Sequence, residues 1–87
     1  IFVSLEINQD FSINKDILIS IKGLPEIDDQ QLIDDFKSMF FNDFVTFNDD
    51  QKSTDQIVAE LVKKNIRQII KNYLQKKPDV EVHLFRK

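Results

Sequence analysis

The sequence contains no cysteine, one glycine, two prolines and one histidine among its 87 residues. Without cysteine, neither a disulfide nor a thiolate metal site can form, and a reducing compartment is permitted. A single glycine excludes both glycine-rich phosphate loops and the Gly-x-x-Gly clamp of KH domains. The chain also lacks an apolar run of about 18 residues and the pattern of a signal peptide. We therefore expect a soluble, cytoplasmic protein with no membrane partner.

What is present is enough for one hydrophobic core. The chain is 41% hydrophobic and has eight phenylalanines and one tyrosine. Its length predicts a single small domain over residues 1–87. Because a strand-like pattern is already under way at Ile1, we expect a piece of a longer protein.

Period-two alternation predicts three strands. In the stretch IFVSLEI, Val3 and Leu5 alternate with polar residues, and NQD then marks a turn. The next stretch, FSINKDILISIK, predicts a second strand that completes a hairpin, with a bulge near residues 14–16. The stretch VEVHLF predicts the last strand, with inward residues Val80, Val82 and Leu84.

Two amphipathic helices are predicted between the hairpin and the last strand. The first begins at a capping box formed by Asp28 and Gln31 and runs to about residue 44. A polar loop is predicted at 48–52, after which Ser53 and Gln56 repeat the capping pattern, and Pro78 ends the second helix. The order β-β-α-α-β predicts an α+β fold, a three-stranded sheet with two helices packed on one face.

The residue types argue against catalysis within this chain. His83 is the sole histidine, so three-ligand zinc binding would need carboxylates, and its strand face offers Glu81 alone as a partner. The acid pairs Asp28/Asp29, Asp34/Asp35 and Asp49/Asp50 lie at helix starts, on polar faces or in loops. We expect these pairs to be solvated charge. We therefore predict no catalytic residue, no metal site and no cofactor within the chain.

Two surfaces are candidates for binding. One is the outer row of the sheet, where Phe2, Leu18 and Phe85 would form an apolar patch beside an outward His83. The other is a basic helix face, where residues within about 100° of one another can bind RNA phosphates or an acidic partner. Its members are Lys63, Lys64, Arg67 and Lys71.

Three segments carry a resemblance to a known family. The opening IFVSLEIN resembles the first strand of the ribonuclease J C-terminal domain, a part of ribonucleases of the metallo-β-lactamase and β-CASP type. LIDDF (32–36) resembles that family's Leu-Ile-Glu-Glu-Ala segment. IRQIIKNYL (66–74) resembles the family's Ile-Arg-Asp-Ala-Leu-Ser-Lys-Phe-Leu stretch. SIKG (20–23) and QKKP (75–78) depart from the family pattern, which indicates a divergent member.

The resemblance implies that the parent chain is a zinc-dependent exo- and endoribonuclease. Its zinc and its His-x-His-x-Asp-His motif would lie upstream, outside this sequence. The C-terminal domain would then support oligomer assembly as a dimer, or docking to the enzyme's own catalytic domain. The alternative from the residues is a free-standing module that binds RNA or protein through the basic face of the second helix.

Overall fold

The computed structural model describes residues 1–13, 17–20, 29–74 and 79–87. Within these ranges the chain forms three strands and three helices. The strands are β1 (Phe2–Ile7), β2 (Leu18–Ser20) and β3 (Glu81–Arg86), and the helices are α1 (Asp29–Phe44), α2 (Asp49–Ser53) and α3 (Asp55–Leu74). The predicted α+β class and the order of the main elements are confirmed. The predicted bulge at 14–16, the cap at Asp28 and the stop at Pro78 lie outside the described residues.

The sheet is mixed, and β1 is its central strand. β2 pairs with β1 antiparallel, which confirms the hairpin, and β3 pairs with β1 in parallel. The parallel ladder joins the two ends of the chain, since the amino group of Ile1 donates to the carbonyl of Asp79 over 2.8 Å. Sequence patterns alone did not predict which edge of the sheet the last strand joins.

The core lies between one face of the sheet and the helices α1 and α3. Alternation in β1 buries Val3, Leu5 and Ile7, while the intervening residues face away. The predicted stripe of α1 buries Leu32 and Phe36 together with Phe40 and Phe44, and consecutive rings of this stripe stack. The stripe of α3 buries a matching row: Val58, Leu61, Val62, Ile66, Ile69 and Ile70.

The prediction of a polar loop at 48–52 is wrong, because residues 49–52 belong to α2 and Asn48 is its N-cap. Asn48 caps this short helix: its side chain accepts from the backbone of Gln51, whose side chain accepts in return from the backbone of Asn48. The capping box is therefore Asn48/Gln51, and the predicted Ser53/Gln56 box does not form. The Ser53 hydroxyl donates to the carbonyl of Asp49 instead.

The hairpin turn holds Phe11 in a left-handed conformation, with φ of 65°. The Phe11 amide donates to the Asn8 carbonyl, and the Asn8 amide donates to the Ser12 carbonyl. Glycine is the usual residue at such a position, because a Cβ costs about 1–2 kcal/mol there. Packing of Phe11 against the core cluster offsets that cost.

Candidate interaction surfaces

The sheet face opposite the helices carries all four residues predicted for an interface. Phe2 is 37% exposed, Leu18 67% and Phe85 56%, and His83 is also exposed. Because side chains alternate along each strand, the paired rows of this face can be read from the register. Ser4 lies between Leu18 and His83, and Phe2 lies between Ser20 and Glu81.

The four residues share this face of the sheet. The rings of Phe2 and His83 are in contact, with centroids 4.5 Å apart. Phe85, by contrast, lies opposite Glu6, so a carboxylate rather than a ring is its cross-strand neighbour. Phe85 also follows His83 on the same face of β3, and Leu18 is a diagonal neighbour of Phe2 across the β1–β2 ladder.

His83 points outward, as the alternation predicted, and stacks on a phenylalanine. Among the described residues there is no group of three His, Cys, Asp or Glu side chains that could hold a metal ion. The outer face therefore offers contact surface and hydrogen-bonding capacity.

All four cations predicted for the basic face lie on α3. Lys64, Arg67 and Lys71 are exposed, while Lys63 is partly buried. Glu60 lies one turn before Lys63 and Lys64 on the same side of the helix, and it reduces the positive charge at that end. Arg67 and Lys71 lie further from Glu60 along the helix.

The acid pairs within the described residues interact with groups of their own helices. Gln30 donates to Asp34 over 3.0 Å, and Gln31 donates to Asp35 over 2.9 Å, along the surface of α1. Asp49 and Asp50 lie in the first turn of α2, where the helix dipole favours negative charge. Asp28 and the side chain of Asp29 lie outside the described part of the chain.

Sequence reasoning missed Arg86, which clamps the end of β3 to the helices. Its Nε donates to Asp55 over 2.6 Å, and its Nη2 donates to the carbonyl of Lys52 over 2.9 Å. One guanidinium thus binds the last turn of α2 and the first turn of α3. Nothing local in the stretch EVHLFRK signals this contact, because Arg86 lies 31 residues from Asp55.

The comparison with known protein families settles what kind of domain this is. The family described as the ribonuclease J C-terminal domain matches residues 1–86. The chain belongs to that family. No curated protein and no solved structure matches the chain.

Membership confirms the predicted resemblance and places the chain in a non-catalytic part of a ribonuclease. In this ribonuclease J C-terminal domain, the outer face of the sheet and the basic face of α3 lie on opposite sides, because the core lies between the sheet and the helices. No helix in the described ranges has the length and apolar character needed to span a bilayer.

Proposed function

We propose that this ribonuclease J C-terminal domain is an assembly module, which joins copies of its parent enzyme or docks on the catalytic body through the outer face of the sheet. The parent chain in this proposal is a cytoplasmic, zinc-dependent ribonuclease of the metallo-β-lactamase and β-CASP type. The zinc belongs to its catalytic domain and not to this chain.

The observation that carries the proposal is the exposure of large apolar side chains on the one sheet face that no described helix covers. Leu18 and Phe85 are more than half exposed, and Phe2 and His83 present a joined pair of rings. Burying such side chains against a partner is favourable by roughly 1.5–3 kcal/mol each. Because the helices already cover the other face of the sheet, a partner would gain most of its binding energy from the outer face.

The test is the mass of the chain in solution across a concentration series, measured by light scattering for wild type and Phe85→Asp. We expect a dimer that Phe85→Asp dissociates while the circular dichroism spectrum stays unchanged. Val45→Asp is the matched control, since Val45 is 71% exposed at the end of α1 and away from the sheet. A wild-type monomer at every concentration that also fails to bind the catalytic body would refute the assembly function.

Exposed cations on α3 favour RNA binding as a second candidate. Among the described residues, ion pairs are formed by Arg86 and Lys87, and the basic face of α3 is not part of them. A phosphate backbone laid along Lys64, Arg67 and Lys71 would release counterions, so affinity would fall steeply with salt.

RNA titration separates this second candidate from assembly. Arg67→Glu should weaken binding of a single-stranded RNA and make the slope of affinity against salt shallower. Lys37→Glu makes the same change of charge on α1, and it should leave the slope almost unchanged. Equal effects of the two substitutions would mean that net charge alone governs the interaction.

A further inference from the structure

The second edge of the sheet is formed by β3, a strand of six residues. β3 pairs with β1 on one side, and no described strand lies on its other side. The amides of Glu81 and Lys87 donate to the carbonyls of Ile1 and Ile7, so odd-numbered residues direct their backbone groups toward β1. The backbone groups of Val82, Leu84 and Arg86 therefore point away from the sheet.

An edge of this kind is a template for another strand. Each outward N–H and C=O group can exchange bonds with a neighbour, and the same strand in a second copy offers the same groups in reverse order. The side chains of β3 decide which register that pairing takes.

We propose that two copies of this chain join by antiparallel pairing of their β3 edges, with Leu84 on the two-fold axis. This inference rests on the proposed assembly function and names its partner as a second copy of the chain. The two sheets then continue into one sheet of twice the width, and the helices of both copies lie on the same side.

Charge complementarity selects this register. With Leu84 opposite Leu84, Glu81 of each copy lies opposite Lys87 of the other, so that Lys87, which is 3.9 Å from Glu6 of its own copy, then lies near two carboxylates. The next possible register, with His83 opposite His83, places Glu81 opposite Phe85 and leaves both carboxylates without a cation.

The same register also joins the outer-face residues of the two copies. His83 of one copy lies opposite Phe85 of the other, so the Phe2/His83 ring pair extends across the boundary onto a phenylalanine. Phe85, which is at the exposed edge of the sheet in one copy, thus gains His83 of the second copy as an aromatic neighbour.

Disulfide trapping tests the register directly, because the chain contains no cysteine. Residues 83 and 85 of opposite copies would form a non-hydrogen-bonded pair with Cα atoms about 4.5 Å apart, within the range for a disulfide. Residues 83 and 83, or 85 and 85, would be diagonal neighbours about 7–8 Å apart, which is too far. A mixture of His83→Cys and Phe85→Cys chains should therefore crosslink on oxidation, whereas each variant alone should not.

Charge exchange gives an independent readout in the native sequence background. Glu81→Lys should raise the dimer dissociation constant about tenfold, since two attractive pairs become repulsive. The double variant Glu81→Lys/Lys87→Glu should return it part of the way toward the wild-type value, because the second substitution also removes the ion pair of Lys87 with Glu6. Glu60→Lys, the same change of charge on α3, is the matched control and should have little effect.

The outcomes separate this inference from the assembly function itself. Crosslinking of His83→Cys alone would overturn the register, and a dimer that dissociates with Phe85→Asp yet never crosslinks would overturn edge pairing. In both cases the chain would still self-associate, and the assembly function would stand. A monomer at all concentrations would overturn self-pairing, and binding to the catalytic body would then decide the proposed function.

Discussion

At the scale of single residues, Asn65 is the most informative position. It lies in the middle of the buried stripe of α3 with no exposed surface, and neither atom of its amide has a hydrogen-bond partner among the described residues. Burial of an unsatisfied polar group costs about 1–3 kcal/mol. This domain therefore carries a polar group in its core that weakens the fold.

Replacing Asn65 by leucine should raise the free energy of unfolding by about 1–3 kcal/mol, because a side chain of similar size removes the unsatisfied amide. Urea denaturation followed by circular dichroism would measure the change. Asn72→Leu is the control, since Asn72 is exposed on the same helix and should leave stability almost unchanged. A loss of stability in Asn65→Leu would show that the amide has a partner in solution.

The turn residue Asp10 predicts a pH effect. Hydrogen bonds from the Ser12 hydroxyl and then from the Ser12 amide hold the pKa of the Asp10 carboxyl below its ordinary value of 3.8. Since the folded pKa lies below the unfolded one, Asp10 stabilises the fold at pH above the unfolded value. That contribution is lost as the pH falls through the folded pKa.

Ser12→Ala should raise the pKa of Asp10 toward 3.8, because it removes the largest cause of the shift. An NMR titration of the Asp10 carboxyl carbon would measure it. Ser38→Ala changes an exposed serine on α1 and should leave this titration unaltered. An unchanged midpoint in Ser12→Ala would mean that the turn lacks this hydrogen bond in solution.

At the scale of elements, Arg86 couples the last strand to the junction of α2 and α3. The guanidinium is 31% exposed and bonds both to a carboxylate and to a helix-terminal carbonyl. Its two partners lie on different helices, so the contact restrains the angle between α2 and α3.

Arg86→Gln should lower the free energy of unfolding by about 1 kcal/mol, as partly exposed charged hydrogen bonds generally contribute. A double-mutant cycle with Asp55→Asn, followed by urea denaturation, would isolate the pair. The coupling should be reduced by high salt. Independent effects of the two substitutions would show that the carbonyl of Lys52 is the important partner.

At the scale of the whole molecule, one core joins every layer. Residues of β1, the segment leading into β3, and both long helices belong to one buried cluster. The two ends of the chain meet in the ladder between β1 and β3. The domain should therefore unfold as one cooperative unit.

Ile69→Asp should abolish this fold, because an unpaired charge in the core costs several kcal/mol against a total stability of about 5–15 kcal/mol. Loss of the helical circular dichroism signal and of the thermal transition would show it. Gln68→Asp, at the exposed neighbouring position, should retain both. Retention of a transition in Ile69→Asp would imply that the core tolerates local opening around α3.

Much of this architecture follows from local pattern. Alternation in IFVSLEI and VEVHLF identified the inward and outward residues of β1 and β3, including the outward His83. Three- and four-residue spacing identified the stripes of α1 and α3, because an amphipathic helix repeats its buried side every turn. The polar stretch at 48–52 was misassigned, because a capping box between Asn48 and Gln51 forms a short helix without any buried residue.

What the sequence determined by itself is therefore the three strands and the two long helices, the side of each that is buried, and the resemblance to the family. Only the tertiary structure decided that β3 lies beside β1 in parallel, that Glu6 lies opposite Phe85, and that Arg86 reaches Asp55. Periodicity records the environment of one segment at a time, whereas these contacts join segments up to 78 residues apart. Such pairings depend on how the whole core closes, and no single segment encodes them.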